Sequence, residues 1–181
     1  MTENPRAQSV DILIGGSEWI DSLEPLWLSL FDHHKDVGPG PFVDRTDSWP
    51  RRRRLYTKVL SDPDAFVVSA SRGKLLVGYA LVAMHEGPDD TWPTGDRFAE
   101  VETLAVIPEE RGRGIGTLLL DEVDRRLREL GVGALFIAVM AGNDDAMRFY
   151  RRRGLAPSTT KLMRLDRDDC GREEAMGGSR K

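Results

Sequence analysis

The 181 residues contain a single cysteine, Cys170. One thiol cannot build a disulfide framework or a cysteine metal cluster, so a reducing, cytoplasmic setting and no bound metal are expected. Long hydrophobic runs are missing as well. The longest, Ala134 to Ala141, is far too short to span a bilayer. Met1 to Gly15 lacks the basic stretch followed by an apolar core that marks a signal peptide. Positive charge is not in excess: 26 basic against 30 acidic residues leave a net charge of −4, which argues against nucleic acid as a partner. The Gly-Lys-Ser/Thr signature of a triphosphate loop is also absent.

What is present fits one globular domain. Hydrophobic residues make up 40% of the chain, enough at this length to bury a core. We read one domain over 1–165 and a polar, glycine-rich tail, expected to be disordered, over 166–181. The first fifty residues hold nine acidic and three basic residues. A site lined by them would favour cationic acceptors; the other reading is an ordinary acidic surface.

Local patterns divide the chain into short elements. Val10 to Ile14 reads as a strand. Ser17 is placed to cap a helix carrying Trp19, Ile20, Leu23, Leu26, Trp27, Leu30 and Phe31. Pro25 inside it predicts a kink or two pieces. A second helix is expected from Asp47 or Ser48 to Leu60, with Pro50 in its first turn. Ala65 to Ala70 and Leu75 to Met84 form a hairpin, and Phe98 to Ile107 is the next strand. Gly114 to Leu130 is the clearest helix, with Ile115, Leu119, Val123 and Leu127 on one line. Ala134 to Met140 reads as a buried strand. Asn143 caps a helix over 144–153, and Leu155 to Leu165 is expected to add one or two strands.

The chemistry concentrates between Glu100 and Thr117. A strand runs through Pro108-Glu109-Glu110 into Arg111-Gly112-Arg113-Gly114-Ile115-Gly116, and a helix begins at once. A glycine loop that opens a helix aims backbone N–H groups and the helix dipole at one point, which suits a phosphate or pyrophosphate. Three cofactors compete. A dinucleotide needs G-x-G-x-x-G after a first strand; here the third glycine falls one residue early, and the loop lies late in the chain. A triphosphate needs the missing lysine motif. Coenzyme A is the third.

The full order of features resolves this choice. Arg111, Gly114 and Gly116, followed by Asn143, Ala146, Phe149, Tyr150, Gly154 and Leu155, resemble the GNAT superfamily of acetyl-CoA-dependent N-acetyltransferases. Val77-Gly78-Tyr79-Ala80 looks like that family's third strand. The match covers roughly 64–165. It implies an α/β (α+β) fold with a mixed, mostly antiparallel central sheet and helices on both faces. It implies acetyl-CoA as cofactor and an amine, small-molecule or protein, as acceptor. A homodimer is expected only by analogy.

The resemblance also distributes roles. Two strands splay so that pantetheine pairs with backbone groups of Leu104 and Val106, and a backbone N–H about Ala105 polarises the thioester carbonyl. Arg111, Gly112, Arg113, Gly114, Ile115, Gly116 and Thr117 would hold the pyrophosphate, and Asn143 would cap its helix or touch the cofactor. Glu100 and Glu102, two apart on one strand face, are the candidate bases, with Glu100 favoured by its spacing before the loop. Tyr150 matches the family's acid and belongs to the cofactor contacts as well; packing beside Phe149 is its other reading. His33 and His34 end the first long helix, as substrate contacts or an exposed end. His85 stands alone in the sequence. Arg51 to Arg54 reads as a solvated basic face. Trp49 and Trp92 are placed in loops that could border an acceptor pocket. A non-catalytic acyl-CoA-binding module is the rival from another class.

Overall fold

The computed structural model describes residues 9–87 and 90–165. The expected tail at 166–181, with Cys170, lies outside them. The described residues form two compact units, one running to Met147 and one starting at Arg148.

The first unit is built on five strands in sequence order, β1 (Val10–Gly15), β2 (Phe66–Arg72), β3 (Leu75–Glu86), β4 (Arg97–Val106) and β5 (Leu135–Ile137). The first four pair antiparallel, and β4 pairs β5 in parallel. Such a mixed sheet needs cover on both faces, and its central strands are accordingly apolar on both sides. Eight consecutive residues of β3, Val77 to Met84, are buried.

Helices α1 (Glu24–Val37) and α2 (Arg45–Val59) cover one face. Leu23, Trp27, Phe31, Trp49 and Tyr56 pack there with Tyr79, Leu81 and Ala105. Helix α3 (Ile115–Glu129) covers the other face with Ile115, Leu119, Leu120, Val123 and Leu127 buried. Its approach depends on Gly78: a Cβ there would lie 3.0 Å from the Ala105 carbonyl and 3.2 Å from Ile115. Helix α4 (Asp144–Arg152) follows β5.

Several boundaries differ from the sequence expectation. The first helix takes the two-piece form that Pro25 predicts, although its first piece is a 3-10 segment, Ser17–Leu23, ahead of α1, in whose first turn Pro25 sits. The second helix begins earlier than Asp47, at Arg45 behind Asp44, so Pro50 lies inside it. Asp44 is extended while its carbonyl accepts from Asp47 and Ser48, which starts the helix before the side-chain signal predicts. Strand β5 stops at Ile137, short of Met140. No strand forms over 155–165 among the described residues. Leu162 and Met163 are 89% and 62% exposed; a β-favouring sequence becomes a strand only where an edge pairs with it.

Candidate functional site

The glycine loop delivers the predicted helix start. Gly112 and Gly114 have φ of 72° and 82°, a left-handed conformation that glycine adopts without a Cβ penalty. These two reversals carry the chain from the 3-10 turn Pro108–Glu110 into α3 within four residues. The first α3 bond runs from the Leu118 N–H to the Gly114 carbonyl at 3.0 Å. The N–H groups of Ile115, Gly116 and Thr117 therefore precede the ladder. No side chain caps them, and the first turn holds no acid. An uncapped helix start with no competing carboxylate suits an anion. Arg111 donates from Nε to the Val106 carbonyl at 3.1 Å, tying the loop to the end of β4. Arg113 leans towards Glu110, 3.7 Å away, whose other oxygen takes a 3.0 Å bond from Arg72.

Strand β4 opens beside this loop. Its parallel pairing with β5 covers only Ala99, Glu100 and Val101. On its other edge the register with β3 slips at one residue. Leu81 faces Thr103 and Val82 faces Val101, so Glu102 is extra. This is a β-bulge, which bends a strand and increases its twist. Ile107 donates to the Val77 carbonyl at 3.0 Å. By alternation Thr103 and Ala105 also turn their backbone groups to β3, whereas Leu104 and Val106 turn theirs to the opened edge. The predicted Leu104 and Val106 groups thus lie on the edge where β5 has ended, with the Val106 carbonyl held by Arg111, and Ala105 directs its own into the sheet.

A chain of hydroxyls pins the bulge. Tyr56 donates to Thr103 at 2.6 Å, and Thr103 donates to the Glu102 carbonyl at 2.7 Å. With Tyr56 donating there, Tyr79, 2.8 Å from it, is the donor to Tyr56. Burial pushes the Tyr56 phenol up to about 12 and the Tyr79 phenol well above its ordinary value. Both stay protonated, so the chain persists through neutral pH.

The two acids lie together with an unforeseen third group. Donor atoms of His85, Glu100 and Glu102 lie within 4.8 Å of one another. His85, alone in the sequence, sits 3.4 Å from Glu100, an ion-pair distance without hydrogen-bond alignment, and stacks on Phe98. The three could share a proton or a cation. Glu102 is half-buried. Burial raises its pKa first, and the Glu100 charge raises it further, while Arg52 and His85 oppose the shift. A carboxylate in that setting holds a proton more tightly than an exposed one.

Beside α1 and α2 lies an open-sided cavity of about 410 Å³. Trp27, Phe31, Phe42 and Leu55 supply apolar wall, Met140 closes one side, and His34, Arg51 and Arg52 add polar atoms. Residues Ser48, Arg52 and Tyr56 recur every four positions and so share one face of α2. Ser48 accepts the Trp27 indole N–H at 2.9 Å, and the Arg52 guanidinium lies 3.8 Å over the Trp27 ring. The basic run is therefore not one solvated face: Arg51 and Arg53 pair with Asp47 and Asp21, Arg54 is exposed, and Arg52 is stacked. Trp49 is a buried α2 residue and no loop. The lining carries guanidinium groups and no carboxylate, so the acidic residues of the first fifty do not line this cavity.

His34 is the pocket histidine. Burial holds its pKa down to about 4, with help from the His33 and Arg52 charges. The unfolded chain takes up that proton near 6.5 and the folded chain only near 4, so stability is lost as pH falls through this window. Replacing His34 with Gln should flatten that acid limb, measured as urea midpoints between pH 4 and 7. An unchanged limb would contradict the burial argument.

Asn143 accepts the Ala146 N–H at 3.1 Å, which makes it the α4 cap. In the second unit Tyr150 is buried and lies 5.2 Å from the Phe149 ring. Burial pushes its phenol up to about 12.

Comparisons with known proteins agree with this geometry. The model of the acetyltransferase (GNAT) family matches residues 27–155. A mycothiol acetyltransferase of Propionibacterium freudenreichii is 28% identical over 143 residues, covering 79% of this chain and 42% of the relative. The N-alpha-acetyltransferase RimI of Mycobacterium tuberculosis is 34% identical over 108 residues, covering 60% of this chain and 61% of RimI. The chain thus spans less than half of the first relative and under two thirds of the second. Aminoglycoside N-acetyltransferase AAC(6′)-Iy, solved in complex with CoA, superposes with a TM-score of 0.67 at 15% identity, covering 91% of this chain and 99% of that one. No helix among the described residues is long and apolar enough to cross a membrane.

Proposed function

The chain belongs to the GNAT acetyltransferase family, and from that premise we propose that it moves an acetyl group from acetyl-CoA to a primary amine within one ternary complex. One observation carries this reading: an uncapped helix start, reached through two left-handed glycines, stands beside a strand edge left open where β5 ends. The first suits a pyrophosphate and the second an extended pantetheine arm. When bound, acetyl-CoA supplies a thioester open to attack by a free amine.

The residues of this chain then have distinct tasks. Gly112 to Thr117 hold the pyrophosphate by backbone N–H groups, with Arg111 and Arg113 adding charge. Leu104 and the Val106 N–H orient the arm through backbone groups on the open edge, the Val106 carbonyl being held by Arg111. An alkyl amine is protonated at neutral pH, with a pKa of about 10, and must lose that proton to attack. Glu102 takes it. Two features favour Glu102 over Glu100: its raised proton affinity and the Tyr56–Thr103 bond that connects it to Arg52, which lines the cavity. Glu100, beside His85, holds the second carboxylate position. Tyr150 protonates the departing thiolate, a role its retained proton allows. No enzyme nucleophile is required.

The reading is tested by incubating the protein with acetyl-CoA and a panel of amines and following thiol release together with the acetylated product. Binding without release for every amine would favour a non-catalytic acyl-CoA-binding module. Tyr150→Phe should lower kcat by about 10²-fold, the lower end of acid–base assistance, with little change in acetyl-CoA affinity. An unchanged kcat would remove Tyr150 as the acid.

A further inference from the structure

Arg52 stands out among the charged groups of the first unit. The residue is partly buried and lines the cavity, and its guanidinium is stacked on Trp27. Among the described residues no carboxylate lies within ion-pair distance of it, although neighbouring Arg51 and Arg53 each have one. A guanidinium removed in part from water keeps its donors unused only at some cost, and its planar fork is suited to a carboxylate. The ring beneath it fixes its orientation, so little side-chain entropy is lost when a ligand arrives.

The surroundings define the rest of the ligand. The walls are aromatic and aliphatic, from Trp27, Phe31, Phe42, Leu55 and Met140. His34, neutral at physiological pH, adds no charge. Arg52 also lies 5.6 Å from the Tyr56 ring centroid, and Tyr56 bonds Thr103, the residue after Glu102, so an anion at Arg52 and an amine at Glu102 fit one small molecule. A volume of about 410 Å³ lies within the usual range for small-ligand sites, roughly 300–1,000 Å³.

From these features we infer that the acceptor is a small amine that also carries a carboxylate and an apolar or aromatic body, an amino-acid-like zwitterion whose carboxylate pairs with Arg52. The inference rests on the acetyltransferase reading and narrows its acceptor. Arg52 thereby becomes a specificity-determining residue: it selects the acid and repels a second cationic group.

The test compares phenylalanine with phenylalaninamide and phenethylamine, with rates referred to the free amine in each case. The wild-type protein should use phenylalanine with a kcat/KM about 10-fold or more above phenylalaninamide. The Arg52→Met variant should erase that ratio, a relative loss of roughly 10- to 100-fold for the acid, as expected when a charge-assisted hydrogen-bond pair is removed. Arg52→Lys keeps the charge without the fork and should fall between. Circular dichroism checks that both variants are folded. A parallel titration of phenylalanine into the coenzyme A complex reads binding without chemistry and should weaken by the same factor in Arg52→Met. Equal use of acid and amide by the wild-type protein, or a ratio unmoved by Arg52→Met, overturns the inference and leaves the acetyltransferase reading standing. Turnover of no amine at all, with no phenylalanine bound to the coenzyme A complex, overturns both.

Discussion

Gly114→Glu should abolish acetyl-CoA binding while leaving the protein folded. A Cβ at Gly114 meets nothing within 4 Å, so the substitution creates no clash. It does place an L-residue at φ 82°, which costs about 1–2 kcal/mol. Against that, an acidic side chain at a helix start interacts favourably with the dipole by about 0.3–1 kcal/mol. The net loss of stability is therefore modest, about 1 kcal/mol, the centre of the distribution for single mutations. Binding responds differently. The new carboxylate occupies the spot where Ile115, Gly116 and Thr117 present their N–H groups, and it repels a pyrophosphate there. Affinity should fall by more than about 100-fold, which corresponds to roughly 2.7 kcal/mol. Gly114→Ala separates the two effects, because it keeps the strain and omits the charge; its affinity should fall much less. Unaltered acetyl-CoA affinity in Gly114→Glu would refute the pyrophosphate assignment of the loop.

Glu102→Gln should cut kcat/KM for an alkyl amine by about 10²- to 10⁴-fold, the usual contribution of a positioned base. The same variant should be more stable than the wild-type protein at neutral pH, and the sign follows from linkage. Burial and the Glu100 charge raise the folded-state pKa of Glu102 above 4.5. Such a group favours folding below its unfolded pKa and loses that contribution as pH rises through the folded one. At pH 7 the ionised side chain opposes folding, and a neutral amide removes the opposition. The stability difference should shrink as pH falls into the acid range, where Glu102 takes up its proton in both states. Glu100→Gln, measured alongside, should lose less rate. If Glu100→Gln is the inactive variant and Glu102→Gln retains its rate, the base is Glu100 and the bulge only positions it.

Much of this arrangement is legible in residue order. Gly112 and Gly114 announce a reversal that only glycine makes cheaply, and the line Ile115, Leu119, Val123 and Leu127 announces the face that α3 buries. Asn143 caps its helix as its side chain suggests. The open edge of β4 follows from the family resemblance, and the alternation that turns Leu104 and Val106 to it is local. What could not be read depends on register and on contacts between distant elements. The slip at Glu102 appears only once β3 and β4 are paired, and that pairing brings His85 to Glu100. Arg52 looks like its neighbours in the basic run; its difference lies in Trp27, twenty-five positions earlier, beneath its guanidinium. The Ser48, Arg52 and Tyr56 spacing is a helix face in the sequence, but nothing local says that the face meets a cavity. Residues 155–165 have the composition of a strand and form none among the described residues, since pairing is not a property of the segment alone.

The central claim is that Arg111 to Thr117 and the open edge of β4 together hold acetyl-CoA. Calorimetric titration of the full chain with acetyl-CoA, with free coenzyme A as comparator, tests it most directly. The account predicts micromolar binding at one site per chain for both ligands, because the pyrophosphate and pantetheine contacts are common to them. Absence of binding to either would contradict it and would reduce the glycine loop to a structural turn.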